Sequence, residues 1–312
     1  MQTTFEITKL HPNEVEQACG LFQRVFGARI TPAHWRWKYQ QGPRLGAINL
    51  VARNTEGEIV AHFGASVFAG IANQRAIAMA QLCDVMIELA ERSVYATNTI
   101  YPRLLHTMQK ELLQQYSQAF AYGFAGPRVY KLGGRLGYYR AIQPYRTIYT
   151  TPQHQAGWLD RWLDVHPAQW DATLLDTLWA RAAPRIHAPY VARTGAYLAW
   201  RYQEHPLHQY QLWIIKNFYR TIGWVVTRSM QTDEVCIVDA LLPPHTSPAP
   251  IFAALHQRIV KQTGASVKIA SWIGQTDPTH TPDSNVGGEF KLQQWYQGQP
   301  EPQFQPGDTD VY

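Results

Sequence analysis

The sequence is short of charge and of cysteine, and each shortage closes off a class of protein. Charged residues are 16% of the 312. Lys and Arg are dispersed, without the basic stripe that a nucleic-acid surface needs, and this argues against nucleic acid as a partner. The net charge of +5 supports only a weak preference for anionic ligands such as a nucleotide phosphate. The three cysteines, Cys19, Cys83 and Cys236, are far apart and odd in number. They read as small buried hydrophobes of a reducing compartment, not as a disulfide framework or a zinc site. No run approaches the ~18 apolar residues needed to cross a bilayer, and residues 1–10 carry no apolar core or cleavage site for export. A cytoplasmic protein with no membrane span is expected.

Several catalytic signatures are missing too. There is no Gly-x-Ser-x-Gly nucleophile elbow and no phosphate-binding P-loop. His205 and His208 are separated by Pro206 and lack a Cys or Glu partner at metal spacing, so no metal is expected. Gly307-Asp308-Thr309-Asp310 has the acidic spacing of a calcium loop but none of its remainder, and reads as part of a docked or frayed tail.

What is present is an alternation of strand and helix signals with abundant aromatics, 11 Trp and 17 Tyr among them. Residues 5–10 read as a strand, and 14–26 as an amphipathic helix that Asn13 can cap. Thr31-Pro32 opens a second helix, which Gly42-Pro43 ends. The turn at 54–58 joins strands over 49–53 and 59–68. Residues 76–87 form an apolar run suited to a central strand buried on both faces. A helix over 101–116, a strand over 119–124, a helix over 127–136 and a strand over 137–148 follow. Residues 150–167 read as a linker and 168–183 as a helix. Residues 275–312, rich in Pro, Gly, Gln, Asp and Thr, read as an irregular tail.

The chain also repeats itself. Trp37-Lys38-Tyr39-Gln40-Gln41-Gly42-Pro43 returns as Trp200-Arg201-Tyr202-Gln203-Glu204-His205-Pro206. Each copy precedes a hairpin, then a strand with cysteine and aspartate (Cys83-Asp84 and Cys236-Ile237-Val238-Asp239), then a helix. The expectation is a duplicated α/β (α+β) unit with a mixed sheet flanked by helices, dividing the chain into 1–150 and 151–312. The repeated Trp and Tyr suit buried helix-end anchors better than ligand contacts.

The order of elements and several motifs resemble the GNAT superfamily of acyl-CoA N-acyltransferases, specifically bacterial tandem-GNAT proteins of uncertain substrate. The motifs are Asp84-Val85-Met86-Ile87 at a strand end with Glu91-Arg92-Ser93 after it, then Tyr122-Gly123-Phe124 and Leu136-Gly137-Tyr138. The resemblance covers most of 35–146 and, more faintly, 197–271. It implies acetyl-CoA or another acyl-CoA as co-substrate, bound by the first copy, with a small-molecule amine or a protein as acceptor. Val85, Met86 and Ile87 would offer backbone groups to the pantetheine arm. Arg92, Ser93, Thr97 and Thr99 would face the pyrophosphate at a helix N-terminus, although the turn lacks the glycines that the family favours.

The resemblance also implies a tyrosine that protonates the departing thiolate. Its family position falls on Gly133, which leaves Tyr130 and Tyr138 as neighbouring candidates. Asp84 is the nearest carboxylate for a base, or else a structural hydrogen-bond acceptor. Three functions stay open: an N-acyltransferase, a catalytically degenerate binding or scaffolding protein of the same fold, and an aminoacyl-tRNA-dependent transferase.

Overall fold

A computed structural model of the chain describes residues 5–92, 99–124, 126–150, 162–231, 233–243, 247–264, 267–274, 284–292, 300, 302 and 304–309. They fall into two compact units, one of residues 1–142, 189–191 and 286–301, the other of residues 143–188, 192–285 and 302–312.

The first unit opens with β1 (Glu6–Lys9), α1 (Val15–Phe26) and α2 (Pro32–Gln40). Helix α1 turns Val15, Ala18, Cys19 and Leu21 inward and stops at Gly27, whose φ of 72° is left-handed, a conformation that costs glycine little. Helix α2 starts where the Thr31 side chain accepts from the His34 amide at 3.1 Å, with proline in its first turn. Strands β2 (Arg44–Arg53), β3 (Ile59–Ala72) and β4 (Arg75–Ile87) then form an antiparallel meander. Helix α3 (Ile100–Gln115) leads to β5 (Ala119–Gly123), which runs parallel to β4. Helix α4 (Pro127–Arg135) is followed by β6 (Tyr139–Thr150).

Strand β3 is buried over nearly all of its length, because helices cover both faces of the sheet. On one face Ile100, Leu104, Leu105 and Met108 of α3 pack with Leu50, Phe63 and Leu82. On the other, Val15, Leu21, Trp35 and Tyr39 pack with Val51, Cys83 and Met86.

The second unit contains β7 (Leu163–Ala168), α5 (Ala172–Ala182) and α6 (Gly195–Leu198), which runs on into a π-turn over Ala199–Gln203. The short β8 (Tyr190–Val191) pairs with β3 in the first unit. Next come β9 (Gln211–Asn217), β10 (Arg220–Gln231), β11 (Glu234–Leu241), α7 (Pro248–Thr263) and β12 (Lys268–Gly274). The chain then returns to the first unit as β13 (Ser284–Phe290).

Within the first unit the strand order is β1-β2-β3-β4-β5-β13, and within the second it is β7-β9-β10-β11-β12-β6. In both, an antiparallel meander meets one parallel pair and ends on an antiparallel strand. The repeat seen in the sequence is thus a repeat of topology. Each sheet is completed by a strand from the other half of the sequence: β13 lies beside β5, and β6 lies beside β12.

Two expectations need correction. Residues 163–168, read as linker, are the edge strand β7, and the helix expected from 168 begins at Ala172, where Asp171 caps the Leu174 amide at 3.1 Å. Residues 284–290, read as irregular tail, are β13. Its glycines suppress the strand signal, yet Gly288 needs to be small: a Cβ there would lie 3.1 Å from the Tyr139 ring. The shared tyrosine contact pairs Asp84 with Asp239. All three cysteines are free and buried.

Candidate active site

The register between β4 and β5 ends at Leu82–Gly123, whereas β4 continues along β3 as far as Ile87. Strand β5 ends there, and the last five residues of β4, Cys83–Ile87, run on beyond its ladder. A bulge marks the start of this stretch. His62 faces Met86 but Gly64 faces Cys83, so Asp84 and Val85 share one place on β3, and Asp84 takes a left-handed φ of 51°. Such a conformation is uncommon for a residue with a side chain, and bulges of this kind re-aim side chains beside functional sites.

The bulge sends the Asp84 carboxylate towards α2. Lys38 Nζ lies 2.8 Å from Oδ1 and the Tyr39 hydroxyl donates to Oδ2 at 2.6 Å. Gly64 makes room for that hydroxyl, since any Cβ there would collide with it. His62 is fully buried and hydrogen-bonds the Asp84 carbonyl through Nδ1 at 2.8 Å. A carbonyl only accepts, so Nδ1 carries the proton there; Nε2 lies 3.0 Å from Asn49 Oδ1. Arg44 caps the end of α2, donating to the carbonyls of Trp37 at 2.8 Å and Lys38 at 2.6 Å.

The electrostatics follow from burial and these partners. Burial pushes the Asp84 carboxyl up, but Lys38, His62 and the hydrogen bonds from Lys38 and Tyr39 outweigh it and hold it below 3.8. Burial lowers His62 to about 4 and Arg44 to about 10. At neutral pH Asp84 is a paired anion and His62 a neutral ring. A carboxylate so well satisfied is a poor proton acceptor; what it can do is fix Lys38 and Tyr39 in place.

Of the other residues singled out in the sequence, Val85, Met86 and Ile87 lie on the extension of β4. Val85 and Ile87 pack on the α3 side and Met86 on the α1–α2 side. Arg92 is exposed and donates through Nε to the Ile87 carbonyl at 2.9 Å. Thr99 is the N-cap residue of α3 and makes no side-chain capping bond. Ser93 and Thr97 lie outside the described residues.

Tyr130, half-buried on α4, sits against Gly288 and within 6.3 Å of the Tyr139 ring. Burial raises its pKa despite Arg140 nearby, so its hydroxyl keeps its proton. The Tyr138 ring stacks on Phe290 at 5.9 Å. Gly133, where the family tyrosine would stand, has no space for one: a Cβ there collides with the Tyr139 ring and lies 3.1 Å from the Tyr101 hydroxyl. Sequence reading missed Lys38, His62 and the buried Glu289, which pairs with Arg140 through Nε at 2.8 Å. Glu289 stands opposite Tyr122, one step from the end of β5.

Among the described residues there is no cluster of His, Cys, Asp or Glu fit to hold a metal, and no helix long and apolar enough to cross a membrane. No known family profile matches the sequence, and neither does any curated protein. Solved structures do match. A conserved protein of unknown function from Enterococcus faecalis, described as a probable N-acyltransferase, superposes with a TM-score of 0.68 at 16% identity, over 93% of this chain and 71% of that one. A GCN5-related N-acetyltransferase from Anabaena variabilis gives 0.64 at 13% identity, over 92% and 72%.

The chain has the GCN5-related N-acetyltransferase (GNAT) fold. A tandem GNAT protein from the clavulanic acid biosynthesis pathway matches as well, with a TM-score of 0.56 at 10% identity over 92% of this chain and 97% of that one.

Proposed function

We propose that the protein is an N-acyltransferase that moves an acetyl or other acyl group from acyl-CoA to an amine of a small-molecule or protein acceptor. The observation that carries this reading is the opening of the first unit's sheet, where β4 outruns the β5 ladder over Cys83–Ile87. Backbone groups of Val85, Met86 and Ile87 are suited to pair with the amides of a pantetheine arm. Arg92, Ser93, Thr97 and Thr99 precede α3, whose N-terminal dipole favours phosphate.

The chemistry is direct transfer. The acceptor's nitrogen lone pair attacks the thioester carbonyl, the C–N bond forms, and the tetrahedral intermediate expels the CoA thiolate as the C–S bond breaks. The thiolate takes a proton from a tyrosine hydroxyl, and the proton lost by the nitrogen returns to that oxygen through solvent. We assign this role to Tyr130, half-buried on α4, with Tyr138 as the alternative. Asp84 enters as the residue that positions Lys38 and Tyr39.

Calorimetry or thermal shift with acetyl-CoA, CoA and a long-chain acyl-CoA tests the reading, because a ligand bound only by the native state raises the melting temperature. Absence of a shift with all of them at about millimolar concentration, where even weak binding registers, would sink it. Arg92→Ala is expected to weaken binding; an unchanged affinity rejects the assigned phosphate turn.

One observation favours a second reading, a non-catalytic binding protein of the same fold: Tyr139 and Tyr101 fill the space beside Gly133. Acyl-CoA binding without turnover over a panel of amines would select it.

A further inference from the structure

The last described stretch of the chain belongs to the second unit and is buried, with Phe304 6%, Asp308 3% and Thr309 2% exposed. Its place is specific. In the second unit the parallel register of β11 with β12 ends at Cys236–Ala270, while β11 continues to Leu241. This opening corresponds to the one in the first unit.

Beyond that point the segment around Gly307 lies against β11. The Gln305 side-chain amide donates to the Ala240 carbonyl at 2.8 Å. Gly307 approaches so closely that a Cβ would lie 2.9 Å from the Val238 carbonyl oxygen and would collide with the Tyr202 hydroxyl.

Two buried arginines clamp the segment. Arg193 Nη2 donates to Asp308 Oδ1 at 2.7 Å, and its Nε lies 2.7 Å from Asp239 Oδ2. Arg201 donates to the carbonyls of Gly307 at 3.1 Å and Thr309 at 2.6 Å. The internal repeat gives this meaning. Lys38, the counterpart of Arg201, reaches the aspartate of its own unit, whereas Arg201 holds the strap and leaves Asp239 to Arg193. The remaining oxygen of Asp308 accepts the Gln305 amide at 2.9 Å, which closes the turn over 305–308.

We infer that the second unit's strand opening is a peptide-binding cleft whose ligand is this chain's own segment 304–309, so that the cleft is closed to acyl-CoA. The single acyl-CoA site that follows rests on the acyl-transfer reading; the strap does not.

Hydrogen exchange on the full chain tests the strap, with Gly307→Val as the variant that cannot seat. The native protein should protect the amides of Gln305, Asp308 and Thr309 and those of Val238–Leu241, and Gly307→Val should lose at least about tenfold of that protection in both stretches. A synthetic peptide with the sequence of residues 302–312, added in excess to Gly307→Val, should restore protection over Val238–Leu241. Should Gly307→Val not fold, Asp308→Asn, which keeps the shape and removes the charge, should show a smaller loss in the same two stretches. Native exchange over 304–309 as fast as in the free peptide, or no change over Val238–Leu241 in either variant, overturns the strap. Calorimetry with acetyl-CoA should count one site per chain. Two sites would overturn the closure of the cleft, whereas no binding would remove the acyl-transfer reading and leave the exchange result as the judge of the strap.

Discussion

The Tyr39 hydroxyl donates to the Asp84 carboxylate at 2.6 Å, and the second unit repeats the bond between Tyr202 and Asp239 at 2.7 Å. In each copy the tyrosine ends a helical segment and the aspartate lies on the strand that leaves its parallel partner. The pair recurs in the two units while its surroundings differ. Asp84 is drawn below its usual range, whereas burial pushes Asp239 up to about 6 against the pull of Arg193.

Removing either hydroxyl leaves a buried carboxylate one donor short. Tyr39→Phe and Tyr202→Phe are each expected to cost about 1–3 kcal/mol, read from urea unfolding midpoints at constant m-value. Unchanged midpoints in both would show that the paired tyrosines are packing residues alone.

His62 makes stability depend on pH. Its folded pKa of about 4 lies below the ordinary 6.5, so the unfolded chain binds the proton first. The stability it contributes is complete above pH 6.5 and is lost as pH falls towards 4, to a limit of about 3 kcal/mol. Asp84, also depressed, adds a loss in the same direction below 3.8. His62→Gln should flatten the unfolding free energy between pH 6.5 and 4; a slope equal to that of the wild type would contradict the assignment.

Tyr130→Phe should lower kcat by about 10²-fold or more with little change in KM, the pattern of a lost general acid, whereas Tyr138→Phe should leave kcat within a few-fold. The reverse ranking would move the role to Tyr138.

A fragment of residues 1–150 should not fold cooperatively. It lacks β13, whose Gly288, Glu289 and Phe290 pair with β5, and it would expose an open apolar edge. A sharp two-state thermal transition in that fragment would be evidence against this.

Much of the architecture was legible because its signals are local. The cap at Thr31, the turn at 54–58 and the apolar run of β4 stand close to where the sequence puts them, and the Trp37/Trp200 repeat reports the repeated topology. What was not legible depends on distant partners. Ser284–Phe290 is a weak strand on its own residues and becomes one because β5 needs a neighbour. His166 and Pro167 disguise β7, which as an edge strand tolerates proline. The bulge at Asp84 cannot be read from an apolar run, so the turn of its carboxylate towards Lys38 was hidden, and with it the reason it is a poor base.

The placement of β13 also sets an order of events during synthesis. A ribosome makes β5 long before it makes β13, so the first unit's sheet stands unfinished while residues 124–283 are added. Its β5 edge is open throughout that interval, when strand edges recruit wrong partners. The cell must therefore hold a half-built sheet until the last strand arrives, and the yield of correctly folded protein should depend on elongation rate and chaperone supply more than the stability of the finished molecule would suggest.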